Sequence, residues 1–151
     1  GFCIQDGYNY RMSDLHASLG ISQLEKANRF LALREQIAEK YYLGLAGIRN
    51  LELPVQLSDR THAWHLYVIR VPAERRNRFR DELHVRGVGT QVHYKLVTEH
   101  HVYRRYADSS RYPTAYAEAQ KIVSIPIYQS MTQAESSYVI AMIRDVAARV
   151  L

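Results

Sequence analysis

Gly7-Tyr8-Asn9-Tyr10-Arg11-Met12-Ser13-Asp14, followed at once by Leu15-His16-Ala17-Ser18-Leu19-Gly20-Ile21-Ser22-Gln23-Leu24, is the stretch from which the rest of this chain can be read. The octapeptide mixes a glycine, an asparagine and two tyrosines without apolar periodicity, the composition of an irregular entry segment. Ser13 suits a helix N-cap, because its hydroxyl can accept from an orphan N–H of the first turn. Asp14 then sits where the helix dipole favours a negative charge. Leu15, Leu19, Leu24, Ala27 and Leu31 keep near-helical spacing, and Phe30, Ile37 and Tyr41 carry the apolar stripe to about Leu45. Gly20 is a place where this helix can bend or divide, and Gly44 and Gly47 end it.

Outward from the helix, Leu51-Glu52-Leu53-Pro54 reads as a short extended piece and residues 56–60 as polar loop. His62 to Val71 is rich in aromatic and β-branched residues, which predicts a well-buried strand stopped by Pro72. A helix follows, with Phe79, Leu83 and Val85 as its apolar positions and Gly87 as its C-terminal stop. Val88 to Tyr94 predicts a second long strand, completing a strand, helix, strand unit. Residues 97–113 carry only a weak pattern, with a helical turn or two around Val102 to Tyr106. Ala115 to Val123 predicts a helix and Ser124-Ile125-Pro126-Ile127-Tyr128 a short extended segment. In the last helix Thr132 and Glu135 form a capping box ahead of Val139, Met142, Ile143, Val146 and Val150. These elements predict an α+β fold, a small mainly antiparallel sheet covered by helices. The expected division is an entry segment over 1–12, a long helical region over 13–46, and the sheet with its covering helices over 51–151.

With 151 residues, 47% of them apolar and 23% charged, the chain is long enough for one domain with a real core. A single cysteine, Cys3, excludes an internal disulfide and a cysteine-based metal framework, which fits a reducing compartment. No apolar run approaches the roughly 20 residues of a membrane helix, and the first residues show no signal-peptide pattern, so the expectation is a cytoplasmic protein without membrane contact. Twenty Lys plus Arg against 15 acids give +5 and a pI near 9.4, a balance that suits an anionic partner. The densest basic cluster, Arg75, Arg76, Arg78 and Arg80, points around much of a helix, which reads as a solvated face and argues against nucleic acid. No metal is expected. His62 and His65 would fall on opposite faces of a strand, and the adjacent His100 and His101 cannot easily ligate one ion.

The octapeptide and its helix resemble the segment with which the DegT/DnrJ/EryC1/StrS family of pyridoxal-phosphate sugar aminotransferases enters its carboxy-terminal domain. Further matches follow in family order: Arg34-Glu35-Gln36-Ile37-Ala38, His65-Leu66-Tyr67, and Ser124-Ile125-Pro126-Ile127-Tyr128-Gln129-Ser130-Met131-Thr132. Gly87-Val88-Gly89-Thr90-Gln91-Val92-His93-Tyr94-Lys95 is similar to the family signature Gly-(Ile/Val)-x-x-x-x-His-Tyr-x-Pro. Leu96 stands in place of its proline, and Thr98-Glu99-His100-His101 in place of the usual leucine-histidine. The resemblance implies the carboxy-terminal small domain of a fold-type I aminotransferase. It also implies pyridoxal 5'-phosphate shared across a homodimer, an upstream large domain that binds this cofactor, and a UDP- or dTDP-linked keto-sugar with glutamate as substrates. Asn9 would reach the cofactor phosphate, Arg11 the substrate or the amino-donor carboxylate, and His93 and Tyr94 the sugar nucleotide. The nearest flavour is that of the enzymes aminating a UDP-linked 4-keto-6-deoxy sugar on the way to pseudaminic acid, which belongs to surface polysaccharide or nonulosonic acid biosynthesis.

Chemistry on pyridoxal phosphate needs a lysine amine that condenses with the cofactor aldehyde. The chain has only Lys26, Lys40, Lys95 and Lys121, none in a Gly/Ser/Thr-rich loop, and the resemblance places the family's lysine upstream of the opening motif. No catalytic residue is therefore expected here, nor transamination by the chain alone. Read without the resemblance, Gly7 to Tyr10 is a turn, Arg11 a solvated helix-entry charge and His93 a half-buried strand histidine; the competing reading of the chain is a non-catalytic truncated product, a split-enzyme subunit or a stand-alone module for dimerisation or nucleotide binding. The start at Gly1, without an initiator Met and directly before a family motif, favours an excised or truncated segment.

Overall fold

A computed structural model describes residues 8, 10–106 and 108–151. Helix α1 spans Asp14–Leu45, with Ser13 as N-cap accepting from the His16 N–H. It runs undivided through Gly20; a lone glycine weakens a helix by about 1 kcal/mol relative to alanine and does not break it. Strand β1 is Tyr67–Arg70, α2 Ala73–Val85, α3 Pro113–Ala119, β2 Ile122–Ile125 and α4 Gln133–Val150. Three short 3-10 turns, Val97–Glu99, His101–Tyr106 and Ser109–Arg111, occupy the region of weak pattern.

The strands pair antiparallel, from Tyr67 opposite Ile125 to Arg70 opposite Ile122. Single antiparallel bridges extend this sheet on both sides, Glu52 to Arg70 and Gln91 to Ser124. The spatial order is therefore residue 52, β1, β2, residue 91. Behind the sheet lies one core to which α1 contributes Ile37, Ala38, Tyr41 and Leu45, α2 Phe79 and Leu83, and α4 Val139, Ile143, Val146 and Val150. Helices α1 and α4 approach closely at Gly44, where an added Cβ would lie 2.8 Å from the Cδ1 of Ile140. The capping box is present as expected: the Thr132 hydroxyl accepts from the Glu135 N–H, and the Glu135 carboxylate accepts from the Thr132 N–H.

Several expectations need correction. The strand predicted from His62 is short, because the Trp64 N–H donates to His62 Nδ1 at 2.8 Å and Trp64 takes a left-handed φ of 47°, which breaks the extended path. Val88 to Tyr94 is not a strand; only Gln91 bridges the sheet. The partner of β1 is β2, so the predicted strand, helix, strand unit does not form. Ala115 to Val123 divides into the end of α3 and the start of β2, and Val85 is exposed. The arginine cluster on α2 is not simply solvated: Arg75 donates to the carbonyls of Val150 and Leu151, Arg76 to that of Ala119, and Arg80 to Thr90. Their forked guanidinium groups reach carbonyls at the ends of neighbouring elements, which a helical-wheel reading does not capture.

Two core tyrosines give the fold an alkaline limit. The Tyr41 and Tyr67 rings meet edge to face at 5.1 Å. Burial pushes the Tyr41 hydroxyl far above the ordinary tyrosine range and Tyr67 up to about 12. An unfolded chain sheds these protons near pH 10 while the folded chain holds them, so stability is complete below about pH 10 and falls as pH rises toward 12. In a spectrophotometric titration, two of the 12 tyrosines should form phenolate only together with the loss of helical circular dichroism.

Candidate functional site

The predicted site residues fall on two parts of the molecule. Arg11 stands exposed on the irregular approach to α1, where Tyr8 and Tyr10 stack at 5.2 Å, and Asn9 lies outside the described residues. Beyond them the first half of α1 projects past the core and exposes Leu15, Leu19, Ile21 and Leu24, the last 74% accessible. Such a run of exposed leucines on one helix is the mark of a surface that another body covers.

His93 and Tyr94 lie just after the Gln91 bridge, at the far side of the sheet. His93 is half-buried, its Nδ1 2.9 Å from the Ser124 Oγ. Either atom can donate in this contact; in the tautomer in which Nδ1 accepts from the Ser124 hydroxyl, Nε2 carries the ring proton and can donate to a ligand. Tyr94 is 69% exposed, its ring edge-on to that of His93 at 4.9 Å. Beside them a recess of about 360 Å³ is lined by Arg76, Arg80 and Lys95 together with Glu99, an excess of positive charge suited to an anion. Among the described residues, no hydrogen bond or ion pair joins Arg11 to His93 or Tyr94. Sequence reading missed Ser124 as the residue that orients His93, although Ser124-Ile125-Pro126 already stood out as a motif. It also missed Arg34, which matters more for the scaffold. Arg34 Nη1 points at the carbonyls of Trp64, His65 and Ile127, and Nη2 at the side chain of Gln129.

The lysines decide whether these residues fit pyridoxal phosphate. Lys40 Nζ is surrounded by four acceptors on Gln133, Ser136 and Ser137, each at 2.8 Å. Lys121 pairs with Glu118 at 3.0 Å, and Lys26 lies on an exposed helix face beside Ser22. Lys95 is exposed at the edge of the cationic recess. None stands in an enclosed pocket with an acid for a pyridinium nitrogen, so the described residues do not by themselves make a site for the cofactor. They hold no group of His, Cys, Asp and Glu suited to a metal, and no helix among them is long and apolar enough to cross a membrane.

The fold is α+β, a two-stranded antiparallel sheet covered by helices and entered through one long helix, of the size of a small domain. The sequence profile of the DegT/DnrJ/EryC1/StrS aminotransferase family matches residues 4–144, and the chain belongs to that family. Among solved structures, DesV of S. venezuelae, captured with a ketimine intermediate, superposes with a TM-score of 0.90 at 30% identity, over 98% of this chain and 40% of its own. Spr1654 of Streptococcus pneumoniae, assigned as a sugar aminotransferase and solved in its PMP-form, gives 0.83 at 30% identity, over 98% of this chain and 38% of its own. PseC of Helicobacter pylori, an aminotransferase of pseudaminic acid biosynthesis, gives 0.85 over 96% of this chain and 40% of its own, at 22% identity a likeness of fold. The chain thus spans 38% to 40% of the length of these structures.

Proposed function

We propose that this chain is the carboxy-terminal part of a pyridoxal-phosphate-dependent aminotransferase that moves an amino group from glutamate to a UDP- or dTDP-linked keto-sugar, working as a homodimer in the cytoplasm. The observation that carries this reading is the family match over 4–144 in a chain whose four lysines are all unsuited to the cofactor. The covalent half of the site then belongs to an upstream large domain, and the exposed leucines of α1 are the surface that domain would cover. Asn9 would serve the cofactor phosphate and Arg11 the substrate or the amino-donor carboxylate. His93, through Nε2, and Tyr94, through its hydroxyl, would hold the sugar nucleotide. The likeness to PseC is one of fold, so the reading toward a UDP-linked 4-keto-6-deoxy sugar of the nonulosonic acid class rests on Gly7 to Asp14 and on Gln91-Val92-His93-Tyr94.

The test uses the longer protein that contains this chain, assayed with glutamate and keto-sugar nucleotides. His93→Ala should raise KM for the nucleotide sugar roughly tenfold, the loss of one good hydrogen bond. Asn9→Ala should weaken cofactor retention by a similar factor. A longer protein that transfers no amino group to any keto-sugar nucleotide would overturn the reading.

A further inference from the structure

A recess lies away from His93 and Tyr94, between α1 and the segment around Val55, with a volume of about 540 Å³. That is within the range of pockets that hold small organic molecules. Glu35, Glu39 and Tyr42 come from one face of α1, since i and i+4 positions stack along a helix. Trp64 and Tyr67 complete the lining from β1 and the turn before it. Among the described residues that line it, the only charged groups are the two carboxylates, in a chain whose net charge is +5. Neighbouring cations are spent elsewhere, Arg34 on the carbonyls of Trp64, His65 and Ile127, and Lys40 on α4. Among the described residues neither Glu35 nor Glu39 has an ion-pair partner.

A second, independent feature lies deeper in the recess. Tyr67 is 1% exposed, and its hydroxyl is the one buried side-chain polar atom among the described residues without a hydrogen-bond partner. Leaving such a group unpaired costs about 1–3 kcal/mol, so it calls for an explanation. Tyr42 also lines the recess and is itself more than half exposed. Trp64 is sandwiched between His62 at 4.0 Å and Tyr67 at 5.4 Å, so it offers the recess an edge, while Tyr42 is free to offer a ring face.

We propose that this recess is a binding site for a small organic ammonium ligand with a flat apolar body. Its cationic head would sit between Glu35 and Glu39 over Tyr42, and its N–H would give the Tyr67 oxygen the partner it lacks. The site shares no residue with the proposed nucleotide-sugar contacts, and its test does not depend on aminotransferase activity.

Trp64 is the only tryptophan in the chain, so its fluorescence reports occupancy directly. The probe is phenethylammonium, with phenylacetate as its anionic counterpart, titrated into the 151-residue chain. Phenethylammonium should give a saturable change in Trp64 emission and bind roughly tenfold more tightly than phenylacetate, as two partly exposed carboxylates allow. Glu35→Gln with Glu39→Gln should abolish that preference while near-ultraviolet circular dichroism stays as in the wild type, because both side chains are exposed and unpaired. Tyr67→Phe should weaken phenethylammonium and leave phenylacetate unchanged. Equal binding of the two probes, no saturable change, or a preference that survives in the double glutamine variant would overturn the assignment.

Discussion

Arg34→Met is expected to lower the melting temperature by roughly 10 °C, the equivalent of about 3 kcal/mol in a domain of this size. The guanidinium sits where three separate pieces of chain meet: α1, the turn that carries Trp64 and His65, and the segment after β2 that carries Ile127 and Gln129. Its Nη1 lies 2.9, 3.3 and 3.1 Å from the carbonyls of Trp64, His65 and Ile127. One Nη1 has only two protons for those three acceptors, so the contributions are shared and do not add. Without the guanidinium these half-buried carbonyls lose a charged donor, and the irregular path around Trp64 loses its tie to α1. Arg34→Lys should recover less than half of the loss, because a single ammonium cannot reproduce a planar fork that reaches carbonyls and Gln129 together. Thermal denaturation of the two variants measures both numbers. An unchanged melting temperature in Arg34→Met would show that the turn holds itself.

Tyr41→Ala should have the larger effect, about 4 kcal/mol, as deletion of a large ring from a fully buried site does. Tyr41 has no exposed surface, packs edge-on against Tyr67, and donates its hydroxyl to the Pro126 carbonyl at 2.7 Å. Tyr41→Phe separates the two contributions. It keeps the ring and leaves the Pro126 carbonyl without its donor, at about 1–2 kcal/mol. Urea unfolding of the pair should therefore show the alanine variant losing at least twice what the phenylalanine variant loses. Equal losses would mean that the hydroxyl, and not the packing, dominates this position.

Both residues show how far the sequence could be read. Helix ends were legible because their causes are local: Ser13 and Thr132 carry their caps within a few residues, and Gly87 carries its own positive φ. The apolar stripe of α1 was legible as a stripe, but not which half would be buried. Ile37 to Leu45 is buried toward α4, while among the described residues Leu15, Leu19, Ile21 and Leu24 stay exposed. The strands were least legible because β-propensity describes a surface waiting for a partner. Val88 to Tyr94 has the composition of a strand, yet Thr90 is held by Arg80 and His93 by Ser124, and only Gln91 enters the sheet. His62 to Leu66 was lost to a side-chain hydrogen bond from a backbone N–H, a competition that periodicity cannot see. In the candidate site, His93 and Tyr94 were found as a motif, whereas Ser124 became visible as a partner only through the sheet register that brings it beside residue 91.

The lysine inventory bears on the account most heavily, and it can be tested on the chain as it stands. The 151-residue chain is incubated with pyridoxal phosphate, its absorption spectrum is recorded, and the mixture is reduced with borohydride before peptide mapping. Lys40 and Lys121 are engaged with neighbours and Lys26 and Lys95 lie on open surface. The expected result is no distinct Schiff-base band and only scattered, substoichiometric labelling at the exposed lysines. A distinct band that borohydride converts into a stoichiometric adduct at one lysine would contradict the account, because the chain would then carry the covalent half of the site itself.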